Sequence, residues 1–394
     1  GDEHMIHQTR RQHLAMLAAA GLTGVAGRAF AAMLADEPYK SPPLEGFTES
    51  ALIRVREAAG VPGMATAYAD KGGKAVLLAD GLRSIDGTAR VTRSDLWHIG
   101  SMTKSMTSTL VARMVEHGGI SWDTTIDEIL GSSVPTMQES YKRATLRHLC
   151  SHHAGLPRDP IDLGDAAKAG FPEKSPADPH PDRLRFAAMA LEEAPIGAPG
   201  EKMLYSNSGY EIAATMLEVV FKKPWEKLIV AQVFEPLKLR STGFGPPGTP
   251  GKLDQPLGHR LPKDAVRLVP AVLGNPDKPA DLPAVIGPAG LVHISPADMI
   301  LYLNAHLLGP ESFLKAESWT ILHTPPYTAD YAMGWVKRPD GSIWHNGSNG
   351  RWYTEMLVDQ ARGRVAFVGS NDGYRDKSGP AVAAVLKGAM EASA

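Results

Sequence analysis

Trp97-His98-Ile99-Gly100-Ser101-Met102-Thr103-Lys104 leads a turn into a helix. Apolar residues follow at Met102, Met106, Leu110, Val111, Met114 and Val115, at helical steps of three and four, and Gly118-Gly119 ends the pattern. Ser101 thus falls at or near a helix N-terminus, with Lys104 one turn on and on the same face. There a serine presents its hydroxyl beside backbone N–H groups that have no intrahelical partner, and the lysine can reach that hydroxyl as a base. A serine nucleophile that works without histidine needs this arrangement. The spacing alone decides nothing, since Ser312-Phe313-Leu314-Lys315 repeats it; an N-cap serine on a solvated helix face explains that second case.

Outward from this helix the chain divides by pattern. Glu49 to Ala59 reads as a helix stopped by Gly60, after a proline-containing linker over 39–47. Met64 to Ala69 and Ala75 to Ala79 read as strands around the hairpin signal Lys71-Gly72-Gly73. Helices are predicted over Thr145 to His152 and Ser208 to Val220. Two long irregular stretches, Asp159 to Pro181 and Gly243 to Pro288, read as a loop or lid and a proline-dense loop. Ser342 to His345, Trp352 to Val358 and Arg364 to Val368 predict an antiparallel meander, and Pro380 to Glu391 a final helix. The expectation is an α+β fold: one antiparallel sheet flanked by helices, assembled from residues 45–95 and 285–394, with a mainly helical lobe of long loops, 96–284, inserted between.

The 394 residues carry a formal net charge of −2 and are 43% hydrophobic, enough for a large core and for two lobes. This near-neutral balance gives no reason to expect nucleic acid or an anionic membrane as partner. The single cysteine, Cys150, excludes an internal disulfide and any cysteine-built zinc site. Gly1-Asp2-Glu3-His4 before Met5 reads as an expression scar. Residues 5–31 then combine Arg10-Arg11, an apolar run from Leu14 to Gly27 and Ala29-Phe30-Ala31, a twin-arginine type of export signal with cleavage near Ala31. The apolar run is shorter than the roughly 20 residues a bilayer span needs. The expected location is periplasmic, without stable membrane insertion after cleavage.

Three further places can complete a site. Tyr205-Ser206-Asn207 precedes a predicted helix: a tyrosine beside positive charge can shuttle a proton, and an asparagine can hold a substrate carbonyl and a lysine ammonium together. His345-Asn346-Gly347-Ser348 ends a β-signal, where Gly347 is expected to let a substrate backbone approach closely. The N–H groups of Ser348 and Ser101 can then pair as oxyanion donors. Each tripeptide recurs alone, at Tyr302-x-Asn304 and at His117-x-Gly119 and His153-x-Gly155.

In this order, however, Ser-x-x-Lys, Tyr-x-Asn and a basic-x-Gly strand resemble the serine β-lactamase and penicillin-binding superfamily. The likeness is to its class C β-lactamase branch, with serine DD-peptidases, D-aminopeptidases and related esterases. Leu146-Arg147-His148-Leu149-Cys150-Ser151-His152-His153-Ala154-Gly155-Leu156-Pro157, the run from Val233 to Phe244, and Pro288-Ala289-Gly290-Leu291 with Ser295 and Asp298 are similar to further signatures. The resemblance implies a β-lactamase/transpeptidase-like fold, Ser101 as acylated nucleophile, and Lys104 as base or relay. It also implies Tyr205 handling the leaving-group proton, Asn207 orienting substrate, and His345, Gly347 and Ser348 binding it. No metal and no organic cofactor is implied. The substrate is a small ester, D-amino-acid amide or peptide, or a β-lactam.

One position departs from the pattern. Class C enzymes carry lysine where His345 stands, while some DD-peptidases have histidine. An unperturbed histidine, with a pKa of about 6.5, is mostly neutral at pH 7. This favours esters or D-amino-acid peptides over efficient β-lactam turnover, and predicts tighter carboxylate binding as the pH falls. Rival readings find less support: no G-x-S-x-G elbow occurs, Gly347-Ser348-Asn349-Gly350 having the wrong spacing. His148 and His152 have the separation of metal ligands but lack an H-E-x-x-H pattern. A non-catalytic sensor of cell-wall peptides or β-lactams would have no need of the Ser101, Lys104 and Tyr205 set. The sequence carries no sign of oligomeric state.

Overall fold

A computed structural model describes residues 47–393, so the expected scar at 1–4 and the expected export segment at 5–31 lie outside the described residues. The central sheet has six antiparallel strands in the spatial order Val76–Gly81, Gly63–Asp70, Arg364–Ser370, Tyr353–Asp359, Ile343–Ser348 and Val336–Lys337. A strand near the start of the described chain pairs with one near its end, Met64 opposite Ser370 and Asp70 opposite Arg364. The sheet is therefore closed by contacts some 300 residues apart in sequence.

Both faces of the sheet are covered, and the strands alternate accordingly. Met64, Tyr68, Ala366 and Val368 join one apolar cluster with Leu52, Val382, Val385 and Leu386 from the helices Glu49–Ala59 and Arg375–Glu391. Ala65, Ala67, Val365 and Phe367 join a larger cluster with Met106, Leu110, Met299 and Leu303, from the helices Thr103–His117 and Pro296–Leu308. A slip of one residue in any of these strands would exchange the two sets, so register is strongly specified.

Ser101 is carried in on a second, three-stranded sheet. Trp97–His98 pairs with Val292–Ile294, which also pairs with Gly243–Phe244. The chain then makes a 3-10 turn over Gly100–Met102 and enters the Thr103–His117 helix. That helix is more enclosed than its apolar stripe suggests. Ser105, Thr107, Ser108 and Thr109 are also buried, which is tolerable because each hydroxyl is hydrogen-bonded. The Thr107 hydroxyl donates to Pro288 O at 2.7 Å and that of Thr109 to Ser105 O at 2.9 Å.

The strand expected to end at His345 runs on to Ser348, and two helix boundaries also differ from the sequence expectation. The helix expected to reach His152 is one turn, Leu146–Cys150, capped by Thr145; the chain leaves it with His152 in the left-handed region at φ 62°. The last helix starts at Arg375, before Pro380. The Tyr374 carbonyl accepts the N–H groups of Lys377 and Ser378, starting the helix ahead of the proline. Among the described residues no helix is long and apolar enough to cross a membrane.

Candidate active site

Lys104 lies at the centre, fully buried. Its Nζ donates to Ser101 Oγ at 3.0 Å, to Asn207 Oδ1 at 2.9 Å and to the Ala289 carbonyl at 2.8 Å. Burial lowers its pKa from the ordinary lysine value. The Tyr205 phenol opposes this through charge and hydrogen bonding, Arg158 adds to it, and Asp159 opposes it more weakly. The partner set decides what deprotonation does. Asn207 Oδ1 and Ala289 O can only accept, whereas a serine hydroxyl can donate. A neutral amine keeps its two N–H bonds to the acceptors and turns its lone pair toward Ser101.

Asn207 opens the buried helix Asn207–Phe221, N-capped by Ser206, whose hydroxyl accepts the Gly209 N–H. Its amide orientation is fixed at both ends, because Nδ2 donates to Asp159 Oδ2 at 3.2 Å while Oδ1 faces the lysine. Tyr205 lies with Lys104 Nζ 4.8 Å from its ring centre. Its ring packs on His152 at 4.2 Å between centres. His152 Nδ1 accepts the Ser206 N–H at 3.1 Å, so Nε2 carries the ring proton. Burial, with Lys104 nearby, holds His152 well below the usual histidine pKa, hence neutral.

Two glycines bring the backbones of the nucleophile turn and the edge of the sheet together. A Cβ on Gly100, at φ 49°, would lie 2.3 Å from Ser348 N. One on Gly347 would lie 1.8 Å from Ile99 O and 2.9 Å from Ser101 N. Only glycine permits such an approach, and it brings the Ser348 amide against the turn that carries the Ser101 amide. The Ser348 hydroxyl turns away, donating to Trp352 O at 2.7 Å.

His345 is placed beside this junction but not as the titrating cation the sequence suggested. It is buried; Nδ1 donates to Asn346 O at 2.5 Å, and Nε2 accepts from the Tyr331 hydroxyl at 2.9 Å. Burial, and secondarily Lys104, push its pKa down to about 3 against the opposing Asn346 bond. The expectation of pH-tuned carboxylate binding through His345 is corrected: the imidazole is neutral from pH 5 to 8.

Ser101, Lys104, Tyr205, Asn207, Gly347 and Ser348 thus gather in one place, with His345 adjoining. Sequence reasoning placed Ala289 in a signature run but gave its backbone carbonyl no role, and missed Glu211, whose Oε1 accepts the Ala289 N–H at 3.1 Å. Glu211 is buried in an ion cluster with Arg183, Glu218 and Glu226, which ties the helices His180–Glu192 and Asn207–Phe221 together. Asp159 was also missed, although the loop it begins had been marked. Burial pushes its pKa up to about 6, against the pull of Arg158, Asn207 and Lys104. The His148 and His152 pair serves packing and capping. Among the described residues no group of three or more His, Cys, Asp or Glu is arranged to hold a metal.

Comparison with known proteins accords with this geometry. The family profile for Beta-lactamase matches residues 49–389. Penicillin-binding protein 4 of Amycolatopsis lactamdurans is 26% identical over 340 residues, 79% of this chain and 81% of the relative. The D-alanyl-D-alanine-carboxypeptidase/endopeptidase AmpH of Escherichia coli (strain K12) is 26% identical over 381 residues, 90% and 89% of the two chains. The crystal structure of D-amino acid amidase from Ochrobactrum anthropi SV3, complexed with D-phenylalanine, shares the fold. It superposes with a TM-score of 0.69 at 20% identity, covering 87% of this chain and 98% of that one. With the match running almost from end to end of the described chain, this protein belongs to the β-lactamase family of serine hydrolases.

Proposed function

We propose that the protein transfers acyl groups to water through an ester on Ser101. The Ser101 oxygen attacks the substrate carbonyl carbon while its proton passes to the neutral Lys104 amine. The carbonyl electrons collect on oxygen, stabilised by the Ser101 and Ser348 N–H groups. Such a pair of preorganised donors typically contributes a few kcal/mol each. When the carbonyl re-forms, the bond to the leaving alkoxide or amine breaks, and that group takes a proton relayed through Tyr205. Water, activated by the same groups, then hydrolyses the ester. Asn207 holds the substrate carbonyl side and keeps Lys104 aimed; Gly347 lets the nucleophile turn pack against the strand that carries the Ser348 amide. The reaction space is the cleft between a sheet unit, 45–95 with 285–394, and a helical lobe, 96–284.

One observation carries this reading: Lys104 Nζ lies 3.0 Å from Ser101 Oγ, with its other two donors held by groups that can only accept. The substrate class is carboxylic esters or D-amino-acid amides and peptides. A class C-type β-lactamase or penicillin-binding DD-peptidase is the second reading, favoured by the penicillin-binding relative. Neutral, buried His345 weighs against efficient turnover of carboxylate-bearing β-lactams. The twin-arginine-type segment at 5–31 supports export to the periplasm.

Mass spectrometry of quenched mixtures with p-nitrophenyl acetate and with benzylpenicillin tests the proposal. An acyl mass on Ser101 with rapid ester turnover is expected; a persistent penicillin adduct without ester turnover selects the penicillin-binding reading. No adduct with either reagent would leave a non-catalytic sensor and remove the mechanism.

A further inference from the structure

Asp159 is a buried charged group beside the site that the acyl-transfer chemistry does not use. Its backbone neighbourhood is pinned to the helix start that carries Asn207. The Ser206 hydroxyl donates to Pro157 O at 2.7 Å, and the Ser208 hydroxyl to Arg158 O at 3.1 Å. The Asp159 side chain is only 9% exposed. Oδ2 accepts from Asn207 Nδ2 at 3.2 Å and lies 3.4 Å from Arg158 Nε. Oδ1 is buried with no hydrogen-bond partner. An unmade hydrogen bond on a buried carboxylate is costly, and a bound ligand can supply the missing donor.

The position limits what that ligand group can be. The Asn207 amide bridges Lys104, which holds Ser101, at one end and Asp159 at the other. An acyl group on Ser101 Oγ has its α-substituent two bonds from the carbonyl carbon, and the Lys104–Asn207 bridge joins Ser101 to Asp159. Lys104 makes no hydrogen bond to Asp159, because its three donors point at other acceptors. Arg158 approaches only through Nε, and its Nη1 is itself buried without a partner. The charge of Asp159 is left under-compensated on the substrate side, consistent with a carboxyl pKa raised to about 6.

We infer that Asp159 receives the α-ammonium group of the substrate's acyl half, so that the site selects amino-acyl amides and esters with a free amine. This deepens the proposed function and rests on it.

The test compares kcat/KM for D-alanine p-nitroanilide, its N-acetyl and N-succinyl forms, and propionyl p-nitroanilide, in the wild type and Asp159→Asn. Asparagine retains an acceptor for Asn207 Nδ2 and removes the charge. The expected result is at least a tenfold preference for the free amine over the propionyl compound, falling at least tenfold in the variant. In the wild type, KM for the amine substrate should rise as the pH falls through the Asp159 carboxyl, which faces Arg158, Lys104 and Asp162. The propionyl compound should show no such rise. A wild-type ratio near unity overturns the inference. So does an equal loss of both activities in the variant, which would mean that Asp159 only aligns Asn207. A preference for the succinyl compound overturns it in favour of anion binding by Arg158. In each case Ser101 acetylation by p-nitrophenyl acetate shows that the acyl-transfer reading stands; without that acetylation both fall.

Discussion

Lys104 Nζ stands 3.0 Å from Ser101 Oγ at the end of a fully buried side chain. Burial disfavours the ammonium, so the amine titrates below the ordinary lysine value of about 10.5. The base form is the one needed. Acylation by a neutral ester should therefore rise with pH through this depressed lysine pKa and level off above it. Lys104→Arg, permanently protonated, should lose that limb and fall at least about a hundredfold. Stopped-flow release of p-nitrophenol across pH 5–10 reads both effects; an unchanged limb in the variant would assign it to another group.

Ser101 is half-buried and its hydroxyl bonds to the Lys104 amine. Ser101→Ala should abolish the acyl adduct and turnover while changing stability by only about 1 kcal/mol, the worth of one hydrogen bond. Tyr205→Phe keeps the ring against His152 and removes the phenol. It should lower kcat by about 10²–10⁴-fold, the usual range for a lost acid–base group. Amide substrates should suffer more than activated esters, whose leaving groups need no proton. Thermal melts alongside the kinetics separate chemistry from unfolding.

What could be read from sequence divides along the range of the interaction. The Met102 to Val115 stripe, the Ser101/Lys104 spacing and the Tyr205-Ser206-Asn207 cap are local, and helical periodicity exposes them directly. The pairing of Met64 with Ser370 was suggested only by β-signals at both ends of the chain. The role of Ala289 escaped because a carbonyl acceptor has no side-chain signature. Glu211 and Asp159 escaped because their neighbours come from other segments: Ala289 for one, Asn207 for the other. His345 was visible, but its protonation depends on burial and on Lys104, neither of which spacing reports.

That burial gives His345 a measurable signature. With its folded pKa near 3, below the unfolded value of about 6.5, the neutral ring contributes stability that is present above pH 6.5 and is lost as the pH falls toward 3. Below 6.5 the unfolded chain takes up a proton that the folded ring refuses. His345→Asn should flatten the acid side of the stability curve by up to about 1.4 kcal/mol per pH unit, the slope for one proton. Urea unfolding at pH 4–7 measures it. Nitrogen NMR of the imidazole should show the neutral Nδ1–H form throughout pH 5–8; a charged ring at pH 5 would contradict the assignment.

The glycine at position 347 tests whether the two backbone amides act together. A methyl group there meets Ile99 O at 1.8 Å and Ser101 N at 2.9 Å, both backbone atoms that cannot rotate away. Gly347→Ala must push the Ile343–Ser348 strand off the nucleophile turn, at a cost of about 1–3 kcal/mol or more. It should also separate Ser348 N from the place where the oxyanion forms. Losing one such donor typically lowers kcat about 10²–10³-fold. KM for a small ester should change far less, since the ground-state carbonyl leans on these amides weakly. A variant that folds and keeps wild-type kcat would dissociate the Ser348 amide from the reaction, whereas a selective loss of kcat ties it to the transition state.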